Sequence, residues 1–186
     1  MTEARKKLIE DRALSLLLQQ NICGEFALSF LDLRRITTGG EIMIDAFSSY
    51  EKRTGASLPT ETEGITLKLP SMSIILYDDR VSNAGRRNWT IAHELGHVLL
   101  GHSELSKVNE READIFAAEL LMPEAVIRHL DARDGEAISP EAMTNYFSAS
   151  LTACKRRRLN LPFSDRYIPS EKGTELIKRL FEPEIG

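Results

Sequence analysis

The sequence predicts an α+β fold with a small sheet, and three observations carry that reading. Two short runs, "GITLKLP" (64–70) and "SMSIILYDD" (71–79), are rich in β-branched residues and bounded by Gly, Pro and Asp, as strands are. Much of the rest spaces its apolar residues as amphipathic helices do. The length of 186 residues suits one domain, or one domain with a small appendage.

In chain order, residues 3–20 read as an amphipathic helix with Leu8, Leu14, Leu17 and Leu18 among charges. In 21–40, "EFALSFLDLRRI" could continue as helix, and "TTGG" is a break. Residues 41–53, "EIMIDAFSSYEKR", read as helical up to Gly55. The two strands follow, the second buried, and then "VSNAGRR" as a loop. A helix is expected from about Asn88 to Leu100, stopping near Gly101, and another from about Asn109 to Met122. Pro123 ends the latter, because the residue before proline is pushed out of the α region, and a further helix starts there. Residues 139–160 split into two helices around "SAS", and the tail from Leu161 adds a short helix, "TELIKRLF", with three of the seven prolines. The expected division is an N-terminal helical extension (1–40), a main domain (41–135) and a C-terminal helical subdomain with tail (136–186).

At 42% hydrophobic and 28% charged residues the composition is that of an ordinary globular protein. A net charge of −4 argues against whole-surface attraction to nucleic acid, though not against a local basic patch. Cys23 and Cys154 stand far apart without a CxxC partner, so neither a disulfide framework nor a cysteine metal site is expected. "LSLLLQQ" is too short to span a membrane and reads as core or a dimer face. The opening "MTEARKKLIEDR" lacks a signal-peptide core, and a cytoplasmic location is expected.

The chemistry concentrates in "WTIAHELGHVLLGH" (89–102). At about 100° per residue, Ile91, Leu95, Val98 and Leu99 share one helix face, and His93 and His97 lie side by side roughly opposite. Histidines at i and i+4 can aim ring nitrogens at one metal ion. Glu94, one residue round, is placed to reach a bound water as general base. The alternative is a pair of exposed histidines on a solvated face, and a third ligand decides between them. In "NEREADIFAAELLMP" (109–123), Glu110 and Asp114 sit four apart along the margin of a buried arc formed by Ala113, Phe116, Ala117, Leu120 and Leu121. A carboxylate held against a core needs a partner. A metal would serve Glu110, and Asp114 could accept the outer N–H of a ligand histidine. Glu112 points away and reads as a solvated first-turn acid. His102 reads as a cap on the helix C-terminus, where a cation is favoured.

With both helices read, the chain resembles the ImmA/IrrE-type metallopeptidase family. "RRNWTIAHELGHVLLGH" (86–102) and "NEREADIFAAELLMP" (109–123) carry the likeness in the family's order, and "YFSASLTACKRRRLNL" (146–161) extends it with Ala149 where valine is usual. The resemblance covers roughly 41–160. It implies a zincin-like metallopeptidase domain with Zn²⁺ held by His93, His97 and Glu110, the last agreeing with the helix-face argument, and with Glu94 as base. It also implies a protein substrate of repressor-like or antitoxin-like kind, since family members act on helix-turn-helix repressors. His102, Tyr146 and Arg87 are candidates for stabilising the oxyanion.

Two further readings come from other classes. Residues 139–160 resemble a helix-turn-helix whose second helix carries Lys155, Arg156, Arg157 and Arg158, cations that could contact DNA phosphates. The acidic balance of the chain makes this the lesser reading, and the same run could meet an acidic protein patch. The third reading is a zinc-bearing regulator that binds a partner without cutting it.

Overall fold

The computed structural model describes residues 1–104, 106–161, 164 and 166–182. Pro162 and Pro183 of the expected proline-bearing tail lie outside them. Helix α1 (Glu3–Leu18) leads through two 3-10 turns (Ala27–Phe30 and Leu33–Arg35) to strand β1 (Ile42–Ala46) and helix α2 (Phe47–Thr54). Strands β2 (Gly64–Lys68) and β3 (Ser73–Tyr77) follow, then α3 (Ala84–Leu99), α4 (Lys107–Leu121) and α5 (Glu124–Asp134). Helices α6 (Pro140–Tyr146), α7 (Leu151–Asn160) and α8 (Glu171–Phe181) complete the described residues.

The fold is mixed α+β, as expected, with three corrections. Residues 42–46 form a strand, not the start of a helix. Ile42, Ile44 and Ala46 alternate with Met43 and Asp45, and the first three pack on the main core. Helix begins only at Phe47, which is buried on the opposite face of the sheet. The segment 21–40 makes short 3-10 turns in place of a continuing helix. Residues 84–87 belong to α3, whose N-cap is Asn83: its side chain accepts from Arg86 N at 2.9 Å.

The sheet order is β1-β3-β2, with β1 parallel and β2 antiparallel to the central β3. Alternation along β3 sends Ile75 and Tyr77 into the main core with α3, and Ile74 and Leu76 into a smaller cluster with Phe47 of α2. Burial on both faces explains why β3 reads as an unbroken apolar run. In the register Ile44↔Ile75↔Thr66, Thr66 comes to the α3 face of the sheet.

Helices α3 and α4 pack along each other and carry the site. Gly96 makes their approach close: a Cβ there would lie 3.0 Å from Ala113 Cα on α4. Helix α4 also ties α1 and α7 to the centre through buried acids. Glu112 pairs with Arg5 of α1, and Glu119 pairs with Arg157 of α7. Leu14, Leu16 and Leu17 of "LSLLLQQ" are core residues. Among the described residues no helix is long and apolar enough to cross a membrane.

Helices α6 and α7 are the two helices expected in 139–160. The four cations of α7 are engaged within the chain. Arg157 is buried against Glu119 and the Met122 carbonyl, and Arg158 meets Asp131 at 2.9 Å. Lys155 lies 3.7 Å from Glu141 and Arg156 lies 3.5 Å from Asp114.

Candidate metal centre

His93 and His97 sit one turn apart on α3, and their Nε2 atoms come within 3.1 Å. Glu110, in the first turn of α4, brings Oε2 to 3.3 Å from His93 Nε2 and Oε1 to 3.4 Å from His97 Nε2. One ligand atom from each of the three lies within 4.8 Å of the others, so this trio could hold a metal ion. The sequence-predicted set is thus brought together by two helices that are adjacent in the fold as well as in the chain.

Asp114, one turn after Glu110, places Oδ1 3.1 Å from His93 Nδ1. A carboxylate only accepts there, so Nδ1 carries the hydrogen and the His93 Nε2 lone pair faces the cluster. Burial pulls the His93 pKa down, but the Asp114 hydrogen bond and charge outweigh it, and the net shift is upward. Asp114 is held below the usual carboxylate range, chiefly by its bond to His93. His97 is lowered, by burial first and then by the neighbouring His93.

Glu94 points from α3 towards the sheet. Its Oε2 accepts from Thr66 Oγ1 on β2 at 2.5 Å. Burial raises its pKa, partly offset by Thr66, which moves the carboxylate towards the range useful to a general base. Room for it depends on Gly64, where a Cβ would stand 2.6 Å from Thr90 Cγ2, 3.1 Å from Glu94 Cγ and 3.2 Å from Glu94 Oε1.

A profile of the peptidase M78 family, described as the IrrE N-terminal-like domain, matches residues 46–158. The chain belongs to this M78 family. Membership places it among peptidases of the metallopeptidase type, and the match spans both helices of the cluster. No curated protein matches the chain. Helix α1 lies outside the matched M78 segment.

Two expectations at this M78 centre are corrected. Glu112 is not solvated: it is 7% exposed and is forked by Arg5, with Nε to Oε1 at 2.9 Å and Nη2 to Oε2 at 2.5 Å. His102 is not a surface cap: it is 7% exposed, with Nε2 at 3.0 Å from Glu112 Oε2 and Nδ1 at 3.1 Å from His97 Nδ1. Lys68 of β2 donates to the His102 carbonyl. Burial of a histidine one turn past the motif is a signal that Gly101 obscured, because it marks a helix end without showing where the chain turns next.

None of the three oxyanion candidates is bonded to Glu94 or Glu110. His102 is tied as above. The Tyr146 hydroxyl lies between Arg133 at 3.0 Å and Glu25 at 3.4 Å. Arg87 donates to the carbonyls of Val81 and Ser82. Asp114 also lines a groove of about 580 Å³ with Trp89, Arg111 and Arg156, which the two histidines and Glu94 do not line.

Proposed function

We propose that this chain is a zinc-dependent metalloendopeptidase that hydrolyses a peptide bond in a specific repressor-like or antitoxin-like protein. The observation that carries the reading is the meeting of His93, His97 and Glu110 beside a half-buried Glu94. Metal–ligand bonds of about 2.0–2.1 Å in a tetrahedral site put ligand atoms about 3.3 Å apart. Here the two Nε2 atoms are 3.1 Å apart and a different oxygen of Glu110 reaches each, at 3.3 and 3.4 Å, so one ligand atom from each residue falls within 4.8 Å of the others, close to that spacing. Two imidazoles and one carboxylate are a donor set of catalytic zinc sites, which keep a fourth position for water or substrate.

When bound there, zinc would acidify a water molecule and polarise the scissile carbonyl. The rest is the work of the chain. Glu94 takes the proton from the attacking water and delivers it to the leaving amine. Thr66 holds one oxygen of Glu94, which leaves the other free to act. Asp114 fixes the ring of His93 so that Nε2 faces the site. The likeness to ImmA/IrrE-type proteins supports a repressor-like partner as substrate.

The test is co-expression of the chain with candidate repressor-like or antitoxin-like proteins, each scored for a new cleavage fragment. The wild type should yield the fragment, and Glu94→Gln should yield none while retaining zinc by elemental analysis. Glu110→Ala should lose the zinc. Full cleavage by Glu94→Gln overturns the mechanism. Zinc retention without any fragment favours the regulator that binds without cutting.

A further inference from the structure

We infer that Arg5, on the N-terminal helix, is a positioning residue for the candidate metal ligand His97, acting through Glu112 and His102. The inference rests on the metal-centre reading above and assigns a role to a segment outside the family match. Four side chains from α1, α4, the residue run after α3, and α3 itself form one unbroken chain of hydrogen bonds. Arg5 grips both oxygens of Glu112, at 2.9 and 2.5 Å. Glu112 Oε2 lies 3.0 Å from His102 Nε2, and His102 Nδ1 lies 3.1 Å from His97 Nδ1.

The direction of the bonds follows from the ends of the chain. A guanidinium only donates and a carboxylate only accepts, so Glu112 takes hydrogens from both Arg5 and His102. In a neutral His102, Nε2 then carries the hydrogen and Nδ1 accepts. His97 therefore donates from Nδ1, and its Nε2 is left with a lone pair. That atom is the one 3.1 Å from His93 Nε2 and 3.4 Å from Glu110. On His93, Asp114 achieves the same result directly. On His97 the carboxylate is one imidazole further away, and its fork to Arg5 fixes how it faces that imidazole.

Several features hold the chain in place. Glu112 and His102 are each 7% exposed, so water competes poorly for their polar atoms. Lys68 pins the His102 backbone from the sheet. Arg5 lies one turn before Ile9, on the stripe by which α1 packs on α4. A bidentate fork demands guanidinium geometry, which lysine does not supply. The consequence is that the N-terminal helix contributes to the reactive centre and not only to the core.

The experiment compares wild type with Arg5→Met and Arg5→Lys. Folding is checked by circular dichroism and urea unfolding. Zn²⁺ affinity is measured by calorimetry on the chelator-treated protein, and ¹⁵N NMR of the histidine rings reports which nitrogen of His97 carries hydrogen. The wild type should show His97 protonated at Nδ1. Arg5→Met should mix the two ring forms and weaken zinc about tenfold, the low end for loss of a partner behind a ligand. Arg5→Lys should recover only part. If Arg5→Met fails to fold, Glu112→Gln is measured in the same way with the same expectation. Unchanged ring forms and zinc affinity in a folded variant overturn the inference while leaving the metal centre standing. A wild type that binds no zinc overturns the metal reading, and the NMR comparison then still decides whether Arg5 sets the ring form of His97.

Discussion

Gly96→Ala adds one methyl group between α3 and α4, at the level of the candidate ligands. The new Cβ would stand 3.0 Å from Ala113 Cα, 3.2 Å from Ala113 O and 3.2 Å from Phe116 Cβ. Carbon atoms rest at about 3.5–4.0 Å, so the shortfall is roughly half an ångström. The obstacles cannot swing aside, since two belong to the α4 backbone and Phe116 is fully buried. Overpacking of this kind costs about 1–3 kcal/mol. Alanine returns about 1 kcal/mol of helix propensity, and the net is a loss of about 0–2 kcal/mol in urea unfolding. The direct relief is a small separation of the helices, which moves Glu110 away from both histidines. Contacts now at 3.3 and 3.4 Å then lengthen, and Zn²⁺ affinity should fall about tenfold, equivalent to about 1.4 kcal/mol. Calorimetric titration of zinc into both proteins reads this. A variant about 1 kcal/mol more stable, with zinc affinity unchanged, would refute the claim that Gly96 sets the spacing of the centre.

Other expectations follow from buried charges and thiols. Arg157→Met strands Glu119 in a site where the two side chains are 8% and 7% exposed, and should cost about 3–5 kcal/mol; a loss below about 1 kcal/mol in urea melts would show the pair to be peripheral. Burial pushes the Cys154 thiol up to about 11, so its thiolate is scarce at pH 8 and grows only as the pH climbs towards that value. Iodoacetamide at pH 8 should therefore modify exposed Cys23 first, and equal rates by mass spectrometry would contradict the burial argument. Because Arg157 is buried and Arg158 largely covered, each in an ion pair, duplex DNA should show no steep salt-dependent binding; a slope that vanishes on replacing the exposed Lys155 and Arg156 by alanine would restore a DNA contact. Adding a chelator to zinc-loaded protein should lower its melting temperature, as loss of any ligand specific to the folded state does, and no shift would show that zinc does not bind the folded chain specifically.

The helix positions of His93, Glu94 and His97 were legible because i, i+4 spacing is a local property of the chain. Glu110 and Asp114 were legible for the same reason: their place at the margin of the α4 apolar arc follows from periodicity alone. Glu112 was misread because its partners come from elsewhere, one of them 107 residues away at Arg5. A helix wheel shows that Glu112 faces away from Glu110 but not that another helix waits on that side. Strand β1 was missed because five residues of strand run directly into α2. Read in one window, "EIMIDAFSSYEKR" averages two periods, and the alternation of Ile42, Ile44 and Ala46 is lost. The extra turn of α3 was hidden by Gly85, although Asn83 was available as a cap.

Position 64 deserves comparison with the charged residues around it, since what it supplies is vacancy. A side chain there would collide with Thr90 and crowd Glu94, so the strand yields its own volume to seat a neighbouring acid. A survey confined to functional groups would pass over it. An engineer grafting the His-Glu-x-x-His helix onto another sheet would have to carry that gap across as deliberately as the histidines.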